Sequence, residues 1–119
     1  MPVLARNKKA FHDYFIEDKL EAGIELVGTE VKSVKAGKVS IKESFIRIIR
    51  GEIFVMNMHI TPYEFGNINN VAESRVRKLL LNRREIKKWS EKIKEQGYTI
   101  VPISVYTKQR LVKMEIGLA

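Results

Sequence analysis

Residues 14–26 read YFIEDKLEAGIEL. Tyr14, Ile16, Leu20, Ala22, Ile24 and Leu26 share one parity, while Glu17, Lys19, Glu21 and Glu25 share the other. Only Asp18 interrupts the apolar set. Successive side chains of an extended chain point to opposite faces, so this alternation predicts one long strand buried on one side. Such a strand needs neighbours to cover its apolar face, and the rest of the chain supplies more of the same pattern.

Downstream, residues 30–36 read as a short helix, with Thr29 as its N-cap and Gly37 as its left-handed terminus. Residues 45–49 and 53–60 form a hairpin around Arg50-Gly51-Glu52, closed by Thr61-Pro62. Gly66, Asn67, Asn69 and Asn70 mark residues 63–78 as an irregular and mobile connection. A second helix runs from 83 to 96. Asn82 and Glu85 resemble a capping box, Ile86, Trp89 and Ile93 make its apolar stripe, and Gly97 closes it. Trp89 is the residue expected to dock this helix. A last pair of strands covers 98–106, where Pro102 implies an edge or bulge, and 111–118. Five or six antiparallel strands with two substantial helices predict a mainly β fold, one domain over residues 1–119. A small antiparallel β-barrel with flanking α-helices, of the oligonucleotide-binding kind, is a natural candidate.

The composition narrows the function. In 119 residues there is no cysteine, which excludes disulfides and thiolate metal sites. No apolar run approaches the roughly 18 residues of a membrane helix, and the N-terminus lacks a signal-peptide pattern, so the location expected is cytoplasmic with no membrane partner. Lys and Arg total 22 against 14 acidic residues, a net charge of +8. That excess on a small domain points to a polyanion, and nucleic acid is the usual one.

Enzyme signatures are missing: there is no nucleophile elbow, P-loop, dinucleotide fingerprint or zinc motif. His12 and His59 are far apart, and neither a metal nor a cofactor is expected. Glu21 and Glu25 share a strand face and could do acid–base work, but no nucleophile accompanies them. A structural role, as solvated groups or partners of nearby lysines, or an RNA contact as acceptors for base edges or ribose hydroxyls, is the better reading. The cations fall into three clusters: Arg6, Lys8 and Lys9; Lys32, Lys35, Lys38 and Lys42; and Arg75, Arg77, Lys78, Arg83 and Arg84. Arg75, Arg77 and Lys78 precede Leu79-Leu80-Leu81 in a loop or short strand, a good place for phosphate contacts. Lys87, Lys88, Lys92 and Lys94 read as a solvated helix face. Phe11 and Tyr14 stand near the first cluster, where stacking on bases is open to them, and Phe15 is expected in the core.

Four stretches carry a resemblance. NKKAFHDYFIEDKLEAGIELVGTEVKSVKAGKVSIKESF (7–45), RKLLLNRREI (77–86), GYTIVPISVY (97–106) and VKMEIGLA (112–119) resemble, in order, segments of the small protein B family. The combination of EAGIEL-x-GTEVKS with RKLLLN is specific, and the matches span nearly the whole chain.

The resemblance implies an oligonucleotide-binding-type barrel without enzymatic activity. It implies binding to the elbow of the tRNA-like domain of transfer-messenger RNA and delivery of that RNA to ribosomes stalled on broken messages. Alanyl-tRNA synthetase and elongation factor Tu would be partners indirectly, through the RNA. The family's contact positions match Glu21, Leu80 and Asn82, with capping the expected direct role of Asn82. Lys32, Lys35, Arg77 and Lys78, together with Lys8 and Lys9, are the expected phosphate contacts. Two departures follow. The family's Asn-Gly type turn between the last strands is replaced by Thr107-Lys108-Gln109-Arg110. The family's basic tail after the final strand is not among these 119 residues; without such a tail RNA binding is expected to survive and ribosome rescue to fail. The competing readings are a generic RNA-binding barrel such as a ribosomal protein and, more remotely, a small hydrolase using Glu21 and Glu25.

Overall fold

In the computed structural model, residues 3–63 and 72–119 are described. In chain order the elements are β1 (Val3–Arg6), α1 (Lys9–Asp13), β2 (Asp18–Ile24), α2 (Gly28–Lys35) and β3 (Val39–Ser40). There follow β4 (Phe45–Ile49), β5 (Glu52–Met56), β6 (His59–Ile60), β7 (Arg77–Leu80), α3 (Arg83–Gln96), β8 (Ile100–Lys108) and β9 (Leu111–Leu118). Residues 64–71, half of the connection that reads as irregular and mobile in sequence, lie outside the described residues.

Seven strands make one antiparallel sheet in the order β1-β8-β9-β2-β7-β5-β4, and β3 pairs with β6 in a separate ribbon. The mainly β prediction with flanking helices holds. Closure does not: β1 and β4 remain the hydrogen-bonded edges, and β4 comes back against β8 by packing alone. The sheet is therefore curled and open, where the pattern of strands suggests a closed barrel.

The inward side chains are those the alternation selects. Ala22 and Ile24 of β2 are buried with Ile53, Val55, Leu79, Val105, Met114 and Ile116. Val34 of α2 and Ile86 and Trp89 of α3 complete the same core. Trp89 docks α3 as predicted, and its indole N–H donates to Asp18 Oδ2 at 3.3 Å. The residue that breaks the apolar pattern of β2 is thus the partner of the helix anchor.

Strand β2 is shorter than the pattern over 14–26, and the sequence pattern does not mark β1. Strand β2 begins at Asp18 because its partner β9 ends at Leu118, the residue opposite. Before it the chain makes α1, and Phe15, expected in the core, is 82% exposed. The predicted strand 53–60 splits at Asn57, whose φ of 55° breaks the ladder and sends His59–Ile60 to β3. Helix α2 starts at Gly28, so Thr29 lies inside it and not at its cap; Glu30 instead accepts from the Val27 N–H at 3.1 Å. Gly37 is left-handed as expected, with φ 80°.

Pro102 sits beside a bulge: the β8–β9 register shifts between Pro102 and Ser104. Lys108 pairs with Leu111, so the final hairpin closes on a two-residue loop. Gln109 and Arg110 both take positive φ, 51° and 69°, the primed turn that Asn-Gly usually supplies. The geometry the family turn would give is therefore reached here by residues for which it is sterically costly.

Candidate nucleic-acid interface

Three elements bring the expected contact residues to one groove. Strand β2 carries Glu21, β7 carries Lys78 and Leu80, and Asn82 stands at the head of α3; all four line the same depression with Glu52 and Arg83. Pairing sets this up. Gly23 lies opposite Leu80, and a Cβ on Gly23 would stand 3.2 Å from that of Leu80. Absence of that atom lets Leu80 lie across β2, with 49% of its surface still exposed.

Glu21 is held from behind. The Tyr106 hydroxyl donates to Glu21 Oε2 at 2.5 Å, and Lys108 Nζ stands 3.4 Å from Oε1. The Tyr106 hydrogen bond is the main force lowering the Glu21 carboxyl below its ordinary value, opposed by partial burial and assisted by Lys108. Burial, then the carboxylate itself, push the Tyr106 phenol up. The pair therefore presents a fixed anion at neutral pH, able to accept hydrogen bonds from ribose hydroxyls or base edges. Lys78 Nζ rests on Glu52 at 3.2 Å, and both side chains are partly exposed. A surface pair of this kind is weak and exchanges readily for a phosphate.

Asn82 makes the capping box. Its Oδ1 accepts from the Glu85 N–H at 3.0 Å, and Glu85 Oε1 accepts from the Asn82 N–H at 3.4 Å. Capping uses only the oxygen of the side chain, so its amide nitrogen is left to donate into the groove.

Arg77 is a correction. It is 1% exposed and belongs to the interior face of β7, with Leu79. Its Nε donates to Glu30 Oε2 at 2.7 Å, Nη1 to the Met58 carbonyl at 2.6 Å, and Nη2 to the Glu73 carbonyl at 3.0 Å. A guanidinium whose donors are all engaged inside the protein does not reach a phosphate. Arg75 Nε donates to the same Glu30 carboxylate at 3.1 Å. Burial alone would raise the Glu30 carboxyl, but the hydrogen bonds from Arg75, Arg77 and the Val27 N–H outweigh it and hold it low. The triad ties α2 to β7 and so fixes the strand that carries Lys78 and Leu80.

The remaining expected contacts are scattered. Lys32 and Lys35 both lie exposed on α2, with Lys32 Nζ 5.3 Å from the centre of the Tyr63 ring. Lys8 and Lys9 are exposed at the start of α1, whose Ala10 packs with Val101 and Ile103 of β8. None of these four lysines lines the groove of Glu21. Two residues that matter here escape sequence reasoning. Along the chain Tyr106 reads only as the end of a strand, and Glu30 only as a helix residue.

Comparison with known proteins shows the family. The family model described as SmpB protein matches residues 4–119. The chain belongs to the SmpB family. Among SmpB relatives, the SsrA-binding protein of Fusobacterium nucleatum subsp. nucleatum is 63% identical over 117 residues, covering 98% of this chain and 79% of that protein. The SsrA-binding protein of Caldanaerobacter subterraneus subsp. tengcongensis is 57% identical, covering 98% and 74%. A chain of the solved structure described as "tmRNA-SmpB: a journey to the center of the bacterial ribosome" superposes with TM-score 0.78 at 45% identity, over 99% of this chain and 82% of that one. No helix among the described residues of this SmpB-family chain is long and apolar enough to cross a membrane.

Proposed function

We propose that this chain binds the tRNA-like domain of transfer-messenger RNA, the RNA its SsrA-binding relatives are named for, and serves ribosome rescue by trans-translation in the bacterial cytoplasm. The observation that carries this reading is the convergence of Glu21, Lys78, Leu80 and Asn82 on one groove. Glu21 precedes Lys78, the nearest of the other three, by 57 positions (78 − 21), and only a specific fold assembles them. Three of them supply different elements of RNA recognition, a fixed carboxylate, a phosphate cation and an apolar surface for a base or ribose, and Asn82 caps α3 where that helix meets the groove. The set contains no nucleophile, and the role is that of a binding protein acting as one domain. The curled sheet with its helices is read as a variant of the oligonucleotide-binding architecture. Alanyl-tRNA synthetase and elongation factor Tu meet the chain through the RNA.

Two variants test the groove. Glu21→Gln removes the charge from a hydrogen-bonded contact worth about 1.5–3 kcal/mol, a roughly ten- to hundredfold loss of affinity. Leu80→Ala trims an exposed side chain and is expected to weaken binding while thermal unfolding stays close to the parent. Full affinity of both variants for the tRNA-like domain would move the contact away from this groove.

A further inference from the structure

The groove of Glu21 and Leu80 does not end at Arg83. It runs on into a trough between α3 and the β4–β5 hairpin, and the two share Gly51, Glu52, Arg83 and Ile86. Ile48 and Ile86 form the apolar floor of the trough. Its rim carries four cations: Arg83, Lys87 and Lys94 from α3, and Arg50 from the hairpin turn. On α3 the steps from Arg83 to Lys87 and from Lys87 to Lys94 are one and two helical turns, so the three stand on one stripe. By helical rise that stripe is about 16 Å long. Arg50 faces it because the two-residue turn holds Arg50 and Gly51 at positive φ, 52° and 79°.

These cations are uncommitted. Among the described residues, ion pairs engage Arg75, Arg77, Lys78, Lys108 and the two histidines, and none engages Arg50, Arg83, Lys87 or Lys94. Of the two carboxylates on the rim, Glu52 is taken by Lys78, and Glu91 forms no ion pair among the described residues. The rim thus carries four cations against two carboxylates, an excess of positive charge that a further anion in the trough would relieve. On the same helix Lys88 and Lys92 line neither the trough nor the groove, although sequence reading treats them as equal to Lys87 and Lys94.

We propose that Arg50, Arg83, Lys87 and Lys94 form a phosphate track that carries the RNA backbone away from the groove of Glu21 along the length of α3. The occupant is the sugar–phosphate backbone of the same RNA. Continuity with the groove and charge complementarity both select it, and the inference rests on the RNA-binding reading given above. Interactions of this kind position the RNA without reading its sequence.

The test compares two charge-matched double variants of the full chain, Lys87→Ala with Lys94→Ala, and Lys88→Ala with Lys92→Ala. All four substitutions replace lysine with the best helix former, so α3 is retained. Affinity for the tRNA-like domain of transfer-messenger RNA is measured between about 50 and 200 mM salt, with ordinary tRNA as competitor. The track predicts that the 87/94 variant flattens the log–log salt slope by roughly 1.4–1.8, about 0.7–0.9 for each phosphate no longer neutralised. The 88/92 variant should keep the parent slope. Equal flattening in both would reduce the effect to diffuse charge and overturn the track. An unchanged slope in both would overturn it too, because these cations would then neutralise no phosphate of this RNA. Those two results leave the groove reading intact, provided the parent protein still prefers the transfer-messenger RNA domain. Loss of that preference in the parent would sink the groove reading and the track together.

Discussion

Glu30 shows how much one buried carboxylate decides. It is 4% exposed, accepts from Arg75, Arg77 and the Val27 N–H, and is the counter-charge of Arg77 within the core. Breaking a buried pair by removing one partner costs about 3–5 kcal/mol, because a buried charge is left uncompensated. Glu30→Gln is therefore expected to lower unfolding free energy by that amount in urea titration. A midpoint within error of the parent would mean that water reaches Arg77. The same group gives a pH dependence. Its folded carboxyl lies below the ordinary 4.5, so the unfolded chain takes up the proton first. Its contribution is complete above about pH 4.5 and is lost as pH falls through the lowered folded value. Sequence carries a hint that Arg77 is internal, since it shares parity with Leu79 across one strand. The run Leu79-Leu80-Leu81 hides that parity by offering three apolar residues in a row. Tyr106 is hidden for another reason: only the β8–β9 and β9–β2 registers bring its hydroxyl to Glu21, and residue spacing along one strand carries no such information.

Among the elements, α3 is the most legible. A cap, a capping-box glutamate, an apolar stripe and a terminal glycine are all local signals, and the helix spans Arg83–Gln96 with Gly97 left-handed as those signals require. The β4–β5 and β8–β9 hairpins are legible from alternation as well. What sequence misses depends on distant partners. The start of β2 is set by the end of β9, and the break at Asn57 is set by the separate pairing of β6 with β3. The primed turn at Gln109-Arg110 carries no glycine and so gives no sequence signal. A prediction belongs at this scale. Asn82→Ser keeps a capping oxygen and should retain both stability and RNA affinity, whereas Asn82→Ala should lose about 1 kcal/mol of stability. Equilibrium denaturation and RNA titration of both variants check it. A stable Asn82→Ser protein with weakened binding would show that the side-chain amide itself touches RNA.

At the scale of the whole molecule, the net charge of +8 points to a polyanion, and the ordered motifs point to the family. Charge alone does not distinguish an RNA-specific groove from a generally basic surface. The structure makes the difference visible in the company each cation keeps. Arg77 is engaged in the core, Lys78 is at the groove, and Lys8, Lys9, Lys32 and Lys35 lie elsewhere. A curled sheet open between β1 and β4 is not readable from alternation, because each strand looks the same whether or not the edges meet. Electrostatic binding without shape recognition would treat all folded RNAs alike. The central claim is that this chain recognises one RNA fold, and the most direct measurement is a competition gel shift at physiological salt. The tRNA-like domain of transfer-messenger RNA is the labelled probe, and ordinary tRNA and unstructured RNA are the competitors. The groove assembled by β2, β7 and α3 predicts tight binding that ordinary tRNA displaces poorly and unstructured RNA hardly at all. Displacement by both competitors as effective as by the unlabelled domain itself would contradict it and leave a generic RNA-binding module as the account of this chain.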